Sequence, residues 1–339
     1  MIRITDRLLS LPLLEKCKAE DLRRIYRLLL DAGADYAEVS LPIFEKLGTG
    51  ILPDRTVLRL PDRAAVRGYA AEEGGNGSVR NASFLLVPDD RGGVEEKKKK
   101  GLINEVSIQG ALLFDPAYPF KRCFSYRITG LDDLLLYDYP AVFKRLKFLA
   151  GNLEFCPCNS LGCATALASE WLEAGGRRIV SSFLGKGGFA ALEEILMILH
   201  ISGRPKPAAD FSALMELKKS YEAATGEKVD SRKSVIGDEI FHVESGIHVD
   251  GILKDPSNYE PFPPELLGRK RTIRLGKHSG QGAVRYKLEE RGLVFSGGET
   301  EALLKLVREE SQNLGRGITE AEFSLLAGAF ADKGGVYKG

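Results

Sequence analysis

The sequence predicts a degenerate (β/α)8 TIM barrel that has lost some of its outer helices and is followed by a small, mostly helical subdomain. Two observations predict the barrel. Eight short apolar runs recur between Ile2 and Phe183, and helical patterns stand between several of them. Repeated β-then-α units imply a parallel sheet, and eight of them are enough to close one. A third observation sets the division of the chain. Gly203-Arg204-Pro205-Lys206-Pro207 is dense in chain-breaking residues and separates the alternating half from a helical half. The expected domains are residues 1–203 and 204–339.

In chain order, Ile2–Leu9 reads as the first strand and Glu20–Ala32 as a helix capped by Gly33. Tyr36–Leu41 is the second strand. Thr56–Leu60 and Ser83–Val87 follow, with a helical stretch near Asp62–Glu73 between them. Further strands are read at Glu105–Ile108, Cys123–Ile128, Leu153–Cys156 and Arg178–Phe183. Helices are read at Tyr139–Leu149, Ala164–Ala174 and Ala190–His200. Two connections look too short or too irregular for a helical crossover. Only Pro42–Pro53 joins the second and third strands, and Gln109–Arg122 is rich in proline and aromatics. Beyond the boundary, helices are expected at Phe211–Thr225, Glu299–Leu314 and Thr319–Ala331.

Composition narrows the function classes. The formal net charge is +1, with 44% hydrophobic and 28% charged residues, so no global field favours nucleic acid or a membrane surface. The run Glu95-Glu96-Lys97-Lys98-Lys99-Lys100 reads as a solvated helix face. No apolar run reaches membrane-spanning length, and the first residues lack a signal-peptide pattern. The five cysteines, Cys17, Cys123, Cys156, Cys158 and Cys163, are an odd and sparse set that points to a reducing cytoplasm. Cys156-x-Cys158 could hold a soft metal, but packing is the preferred reading. Gly185-Lys186-Gly187-Gly188 lacks a full phosphate-loop pattern.

The segment Phe241-His242-Val243-Glu244-Ser245-Gly246-Ile247-His248-Val249-Asp250-Gly251-Ile252 resembles a signature of the homocitrate and isopropylmalate synthases. Tyr259-Glu260-Pro261-Phe262, Leu267-Gly268-Arg269-Lys270 and Gly276-Lys277-His278-Ser279-Gly280 follow in the order of that family. The match is tightest from Gly203 to Ala331 and is most like homocitrate synthase of the nitrogen-fixation type. The resemblance implies a barrel like that of pyruvate carboxyltransferases and a lid crossing to a partner subunit. It also implies a condensation of acetyl-CoA with a 2-oxo acid, 2-oxoglutarate for homocitrate. The lid histidine and tyrosine would be His248 and Tyr259, working on acetyl-CoA with a barrel glutamate. That chemistry needs a base for a methyl proton and donors for the enolate, and histidine suits proton transfer near neutral pH. Glu244 could orient His248, and His242 reads as structural. Gly276–Gly280 is open to two readings of equal weight. It could contact the nucleotide of CoA through Lys277, Ser279 and Gly280, or it could be a tight turn.

The family's metal-binding pattern is missing. Arg7 is followed by Leu8 and Leu9 where the resemblance calls for Arg-Asp-Gly. Cys156 and Cys158 stand where it calls for two histidines, and Phe189 where it calls for an asparagine. Magnesium or manganese wants oxygen and imidazole donors, so no metal is expected in this chain. Arg7 is the nearest counterpart of the arginine that polarises the 2-oxo acid. An intact lid on a barrel without a metal site resembles the omega-type subunits of split nitrogen-fixation homocitrate synthases. The resemblance therefore implies an alpha-type barrel subunit as partner, holding magnesium or manganese, in a hetero- or homo-oligomer. The alternative is an inactive paralogue that binds acyl-CoA or a partner as a regulator.

Overall fold

The computed structural model describes residues 1–61, 84–88, 102–108, 125–131, 134–149, 152–204, 206, 209–244, 246–331 and 336–337. The chain divides into two compact units, residues 1–230 with 234–236, and residues 231–233 with 237–339. In the first unit a closed, all-parallel barrel is formed by β1 (Arg3–Asp6), β2 (Tyr36–Ser40), β3 (Thr56–Arg59), β4 (Phe84–Pro88), β5 (Leu102–Ile108), β6 (Ser125–Gly130), β7 (Asn152–Phe155) and β8 (Arg178–Ser181). β8 pairs back onto β1, with Arg3 opposite Arg178 and Thr5 opposite Val180, and this closes the ring. All eight strands read from the sequence are present.

Strand alternation sorts the side chains. Ile128, Phe155 and Ile179 lie in register on the outer face. There Phe155, Phe143 and Trp171 form an aromatic knot, each ring centroid 5.4 Å from the next. On the other face, Glu105 lies in register with Arg127, and Arg127 with Glu154. The middle of the barrel is therefore ionic, where branched aliphatic layers are usual. Arg127 is completely buried. Its Nη1 pairs with Glu38, and its Nε and Nη2 donate to Glu154 Oε2 at 2.9 and 2.8 Å. Arg59 donates to both oxygens of Glu105 at 2.6 and 3.0 Å and to Glu38 at 3.3 Å. Burial alone would raise the Glu38 carboxyl, but the charges of Arg127, Arg7 and Arg59 outweigh it and hold the pKa down at about 2.

The helices account for the outer layer. Ala19–Ala32 begins with Glu20 and Asp21 at its positive end and stops at Gly33, whose φ is +126°. A Cβ at Gly33 would come within 2.9 Å of Ala209 and Leu196, so this turn needs glycine twice over. The expectation of no helix between the second and third strands is corrected. A seven-residue helix, Leu41–Leu47, fits there, started by a proline in its first turn. The readings at 62–73, 95–100 and 109–122 lie outside the described residues. The domain boundary also moves. Helix Ser212–Thr225 belongs to the barrel unit rather than to the helical half. It is tied there by Asp210 N–H to Asp31 O at 3.0 Å, Cys17 Sγ to Ala224 O at 3.4 Å, and Arg24 to Glu216 at 3.2 Å.

The second unit has its own core of Val249, Ile273, Leu275, Val284, Leu303, Val307 and Phe323. Helices Gly246–Lys254, Gln281–Glu289, Gly297–Leu314 and Glu320–Ala331 surround it. Helix Gly297–Leu314 starts with a reciprocal cap between Ser296 and Glu299. A parallel pair, His242–Val243 with Thr272–Ile273, holds the start of the helix bearing His248 beside the later loops. No described helix is long and apolar enough to cross a membrane.

Two stability measurements follow from the barrel interior. Arg127→Met leaves Glu38 and Glu154 buried without their main partner and should cost about 3–5 kcal/mol in urea unfolding. Asp6 behaves oppositely to Glu38. Burial, reinforced by Glu193, pushes its carboxyl from 3.8 up to about 8, against hydrogen bonds from Leu8, Phe183 and Ser181. A carboxyl raised on folding stabilises fully below the unfolded value, and that contribution is lost as pH rises through the folded one. Urea midpoints measured from pH 3.8 up to about 8 should show a fall with pH from this group. Asp6→Asn should flatten the fall, and an unchanged slope would exclude Asp6 as its source.

Candidate functional site

Helix Gly246–Lys254 carries His248 on an exposed face. After it, Asp255 accepts from Ser257 N–H at 3.0 Å, which sets the short 3-10 turn Pro256–Asn258 and returns the chain at Tyr259. The Tyr259 ring lies against helix residue Gly251. A Cβ there would come within 2.1 Å of the ring, so only glycine lets the tyrosine lie across the helix. The result is a His248–Tyr259 ring pair with centroids 5.1 Å apart and planes tilted by 52°. Tyr259 is 43% exposed, and its Cε2, Cζ and hydroxyl oxygen are the atoms that lie nearest Gly251. The sequence reading paired these two residues, and the structure brings them together within one unit. Glu244 does not orient His248. Its carboxylate lies over Gly276, where a Cβ would come within 2.2 Å of it.

The Gly276–Gly280 segment is a turn built from its own residues. Ser279 is fully buried, and its hydroxyl accepts from Gly276 N–H at 2.9 Å. The Ser279 carbonyl takes two hydrogen bonds from Arg308, at 3.1 and 2.7 Å. Gly280 lets the backbone at Gly246 approach, and a Cβ on Gly246 would sit 2.9 Å from the Gly280 nitrogen. Ser279 thus ties the turn to helix Gly297–Leu314, while Gly280 and the His278 carbonyl, which accepts from Gly246 N–H at 3.1 Å, hold it against the helix bearing His248. Lys277 differs. Its backbone N–H donates to Ser311 Oγ at 3.1 Å, while the residue is exposed and lines a cleft of about 310 Å³ with Glu244, Gln312 and Arg316.

In the barrel unit, the residues that the resemblance sets against metal-ligand positions lie close together. Cys158 and Phe189 form an antiparallel backbone bridge. The Arg7 guanidinium lies 3.9 Å from the Phe189 ring centroid and donates to Cys156 Sγ at 3.5 Å. A cation–π contact and a fixed charge therefore fill the place. Arg7 also approaches Glu38 at 3.8 Å, so it belongs to the ionic cluster. Its Nε is buried without a partner among the described residues. Burial pushes the Cys156 thiol up to about 11, although Arg7 and Arg127 pull the other way. A protonated thiol, a phenyl ring and a guanidinium do not fit a divalent ion. Among the described residues no group of three or more His, Cys, Asp and Glu is arranged to hold a metal. In the glycine-rich loop, Lys186 is spent on Glu227 at 2.5 Å.

Sequence reasoning missed the ionic barrel interior. Its signal was present as charged residues at inward positions of otherwise apolar strands, Glu38, Glu105, Arg127 and Glu154, but partners on different strands cannot be matched without the register.

A model of the family described as "Homocitrate synthase post-HMGL domain-like" matches residues 235–313. The chain is 35% identical over 197 residues to a homocitrate synthase omega subunit of Clostridium pasteurianum, covering 58% of this chain and 56% of that one. It is 37% identical over 217 residues to homocitrate synthase 1 of a Nostoc species, covering 62% and 58%. It is 32% identical over 244 residues to 2-isopropylmalate synthase 2 of Caldanaerobacter subterraneus, covering 68% and 63%. The chain thus spans between half and two thirds of the length of these relatives. Among solved structures, an HMG-CoA lyase from Acinetobacter baumannii, in complex with coenzyme A and 3-methylmalate, is similar in fold. Its TM-score is 0.52 at 13% identity, over 68% of this chain and 92% of that one.

The contact at Gly251 yields a direct measurement. Gly251→Ala should drive the Tyr259 ring off the helix. It should then abolish the ring-current shift on the His248 imidazole protons in NMR spectra of the full chain, whereas an unchanged shift would mean that the ring is held by other contacts.

Proposed function

The chain is a relative of the homocitrate and isopropylmalate synthases, and from that premise we propose that it is a non-autonomous subunit of a homocitrate synthase. It supplies His248 and Tyr259 to the barrel of a separate alpha-type subunit, which holds the divalent ion, magnesium or manganese, and binds 2-oxoglutarate. The observation that carries this reading is the contrast between the two units. One presents a preorganised and accessible His–Tyr pair. The other fills its own barrel mouth with Arg7, Cys156 and Phe189.

In the proposed assembly acetyl-CoA lies between this chain's His–Tyr pair and the partner's barrel. His248 takes part in removing a proton from the acetyl methyl group, together with a carboxylate of the partner. Tyr259 donates a hydrogen bond to the thioester oxygen as the enolate forms. The new carbon–carbon bond joins that methyl carbon to the keto carbon of 2-oxoglutarate. Water then cleaves the thioester, releasing CoA and homocitrate. The 35% identity over 197 residues to a relative named as an omega subunit supports the division of labour.

The test is homocitrate formation by this chain alone, by a barrel partner alone, and by the mixture. Activity is expected only in the mixture. His248→Ala should lower it by about 100-fold or more, and Tyr259→Phe, which keeps the ring on Gly251, by roughly tenfold. Turnover by this chain alone would overturn the reading of the barrel mouth. Silence in all three would favour a regulatory paralogue.

A further inference from the structure

The barrel has a second opening, at the N-terminal ends of its strands, away from the mouth where (β/α)8 enzymes place their chemistry. A cleft of about 490 Å³ lies there between the starts of β1, β7 and β8 and the ends of helices Tyr139–Leu149 and Ala164–Glu173. That volume is within the range of small-molecule sites. Four of its lining residues are cationic, Arg3, Lys147, Arg177 and Arg178, and among the described residues no carboxylate lines it. The whole chain carries a net charge of only +1, so this concentration is local.

The four cations are held by the fold in different ways. Arg3 and Arg178 face each other in register across the β1–β8 pair. Arg3 is tied to Asp35 at 3.1 Å, and Lys147 Nζ to the carbonyl of Ala174. Among the described residues the guanidinium groups of Arg177 and Arg178 have no carboxylate partner. The loop presenting them is rigid. Trp171 Nε1 donates to the Arg178 carbonyl at 3.0 Å, and its ring presses on Gly176, where a Cβ would come within 2.2 Å of it. Gly175 turns the chain at a φ of +89°. Two unpaired arginines on a braced loop, beside two more cations, are suited to an anion with several oxygens, which arginine grips two at a time.

We propose that this cleft is a binding site for a small polyanion, with the linked oxygens of a diphosphate or a tricarboxylate, and that Arg177 and Arg178 are its main ligands. Its lining residues all belong to the first unit and do not include His248 or Tyr259, and the proposal does not depend on the proposed activity.

The chain has a single tryptophan, and Trp171 lines this cleft, so its fluorescence reports on occupancy. The full chain would be titrated with pyrophosphate, ADP and citrate, by Trp171 fluorescence and by calorimetry. At least one should bind saturably, at one site per chain, below about millimolar concentration. Arg177→Gln and Arg178→Gln should each weaken it tenfold or more, whereas Arg24→Gln, a surface charge elsewhere, should not. The preferred anion then identifies the source, pyrophosphate or ADP for a diphosphate and citrate for a tricarboxylate. No saturable binding of any of the three would overturn the proposal. So would binding that survives in the folded Arg177→Gln/Arg178→Gln double variant, with circular dichroism checking the fold.

Discussion

The barrel unit is organised around one guanidinium. Arg127 stands on β6 with no access to water, and carboxylates from β2, β5 and β7 reach it from three directions. Because those carboxylates come from strands far apart in sequence, the cluster is satisfied only when the strands are in register. An aliphatic interior tolerates small shifts of register at modest cost, whereas a buried ion pair that loses a partner is left with an uncompensated charge. The ionic cluster therefore specifies the closed barrel more sharply than it stabilises it. It also sets the potential at the mouth, where Arg7 joins through Glu38.

All eight strands were legible in the sequence, because apolar runs bounded by turn residues survive whatever fills the barrel. The short helix Leu41–Leu47 was not, since Pro42 looks like a breaker until it is seen to occupy a first turn, where its missing N–H costs nothing. The boundary at Gly203 was misplaced for a related reason. Proline and glycine mark a bend, but they do not say which core the next helix joins. Helix Ser212–Thr225 was settled by its packing on Ala19–Ala32.

The motif order singled out His248 and Tyr259, and the structure sets their rings side by side across a residue with no side chain, Gly251. The glycines and serine of Gly276–Gly280 were legible as a motif, but their division between turn-building and exposure was not. Ser279 is fully buried, and Lys277 beside it is exposed. A local pattern records that a segment is constrained, and only the packed backbone tells which atoms remain free to meet another molecule.

The guanidinium lodged between Cys156 and Phe189 also bears on how this chain can change. Suppose mutation supplied one imidazole at position 156 or 158. The newcomer would face a fixed positive charge at the place a divalent ion would have to enter, and a second cation there is repelled. Removing Arg7 first would leave the carboxylates one positive charge short, but beside a phenyl ring and a protonated thiol that offer an ion no ligands. Neither single step gains an ion, so several exchanges would have to arrive together before any one of them was useful. A barrel mouth of this kind behaves as a ratchet. Once a barrel mouth is filled in this way, a divalent-ion site in that place becomes hard to regain.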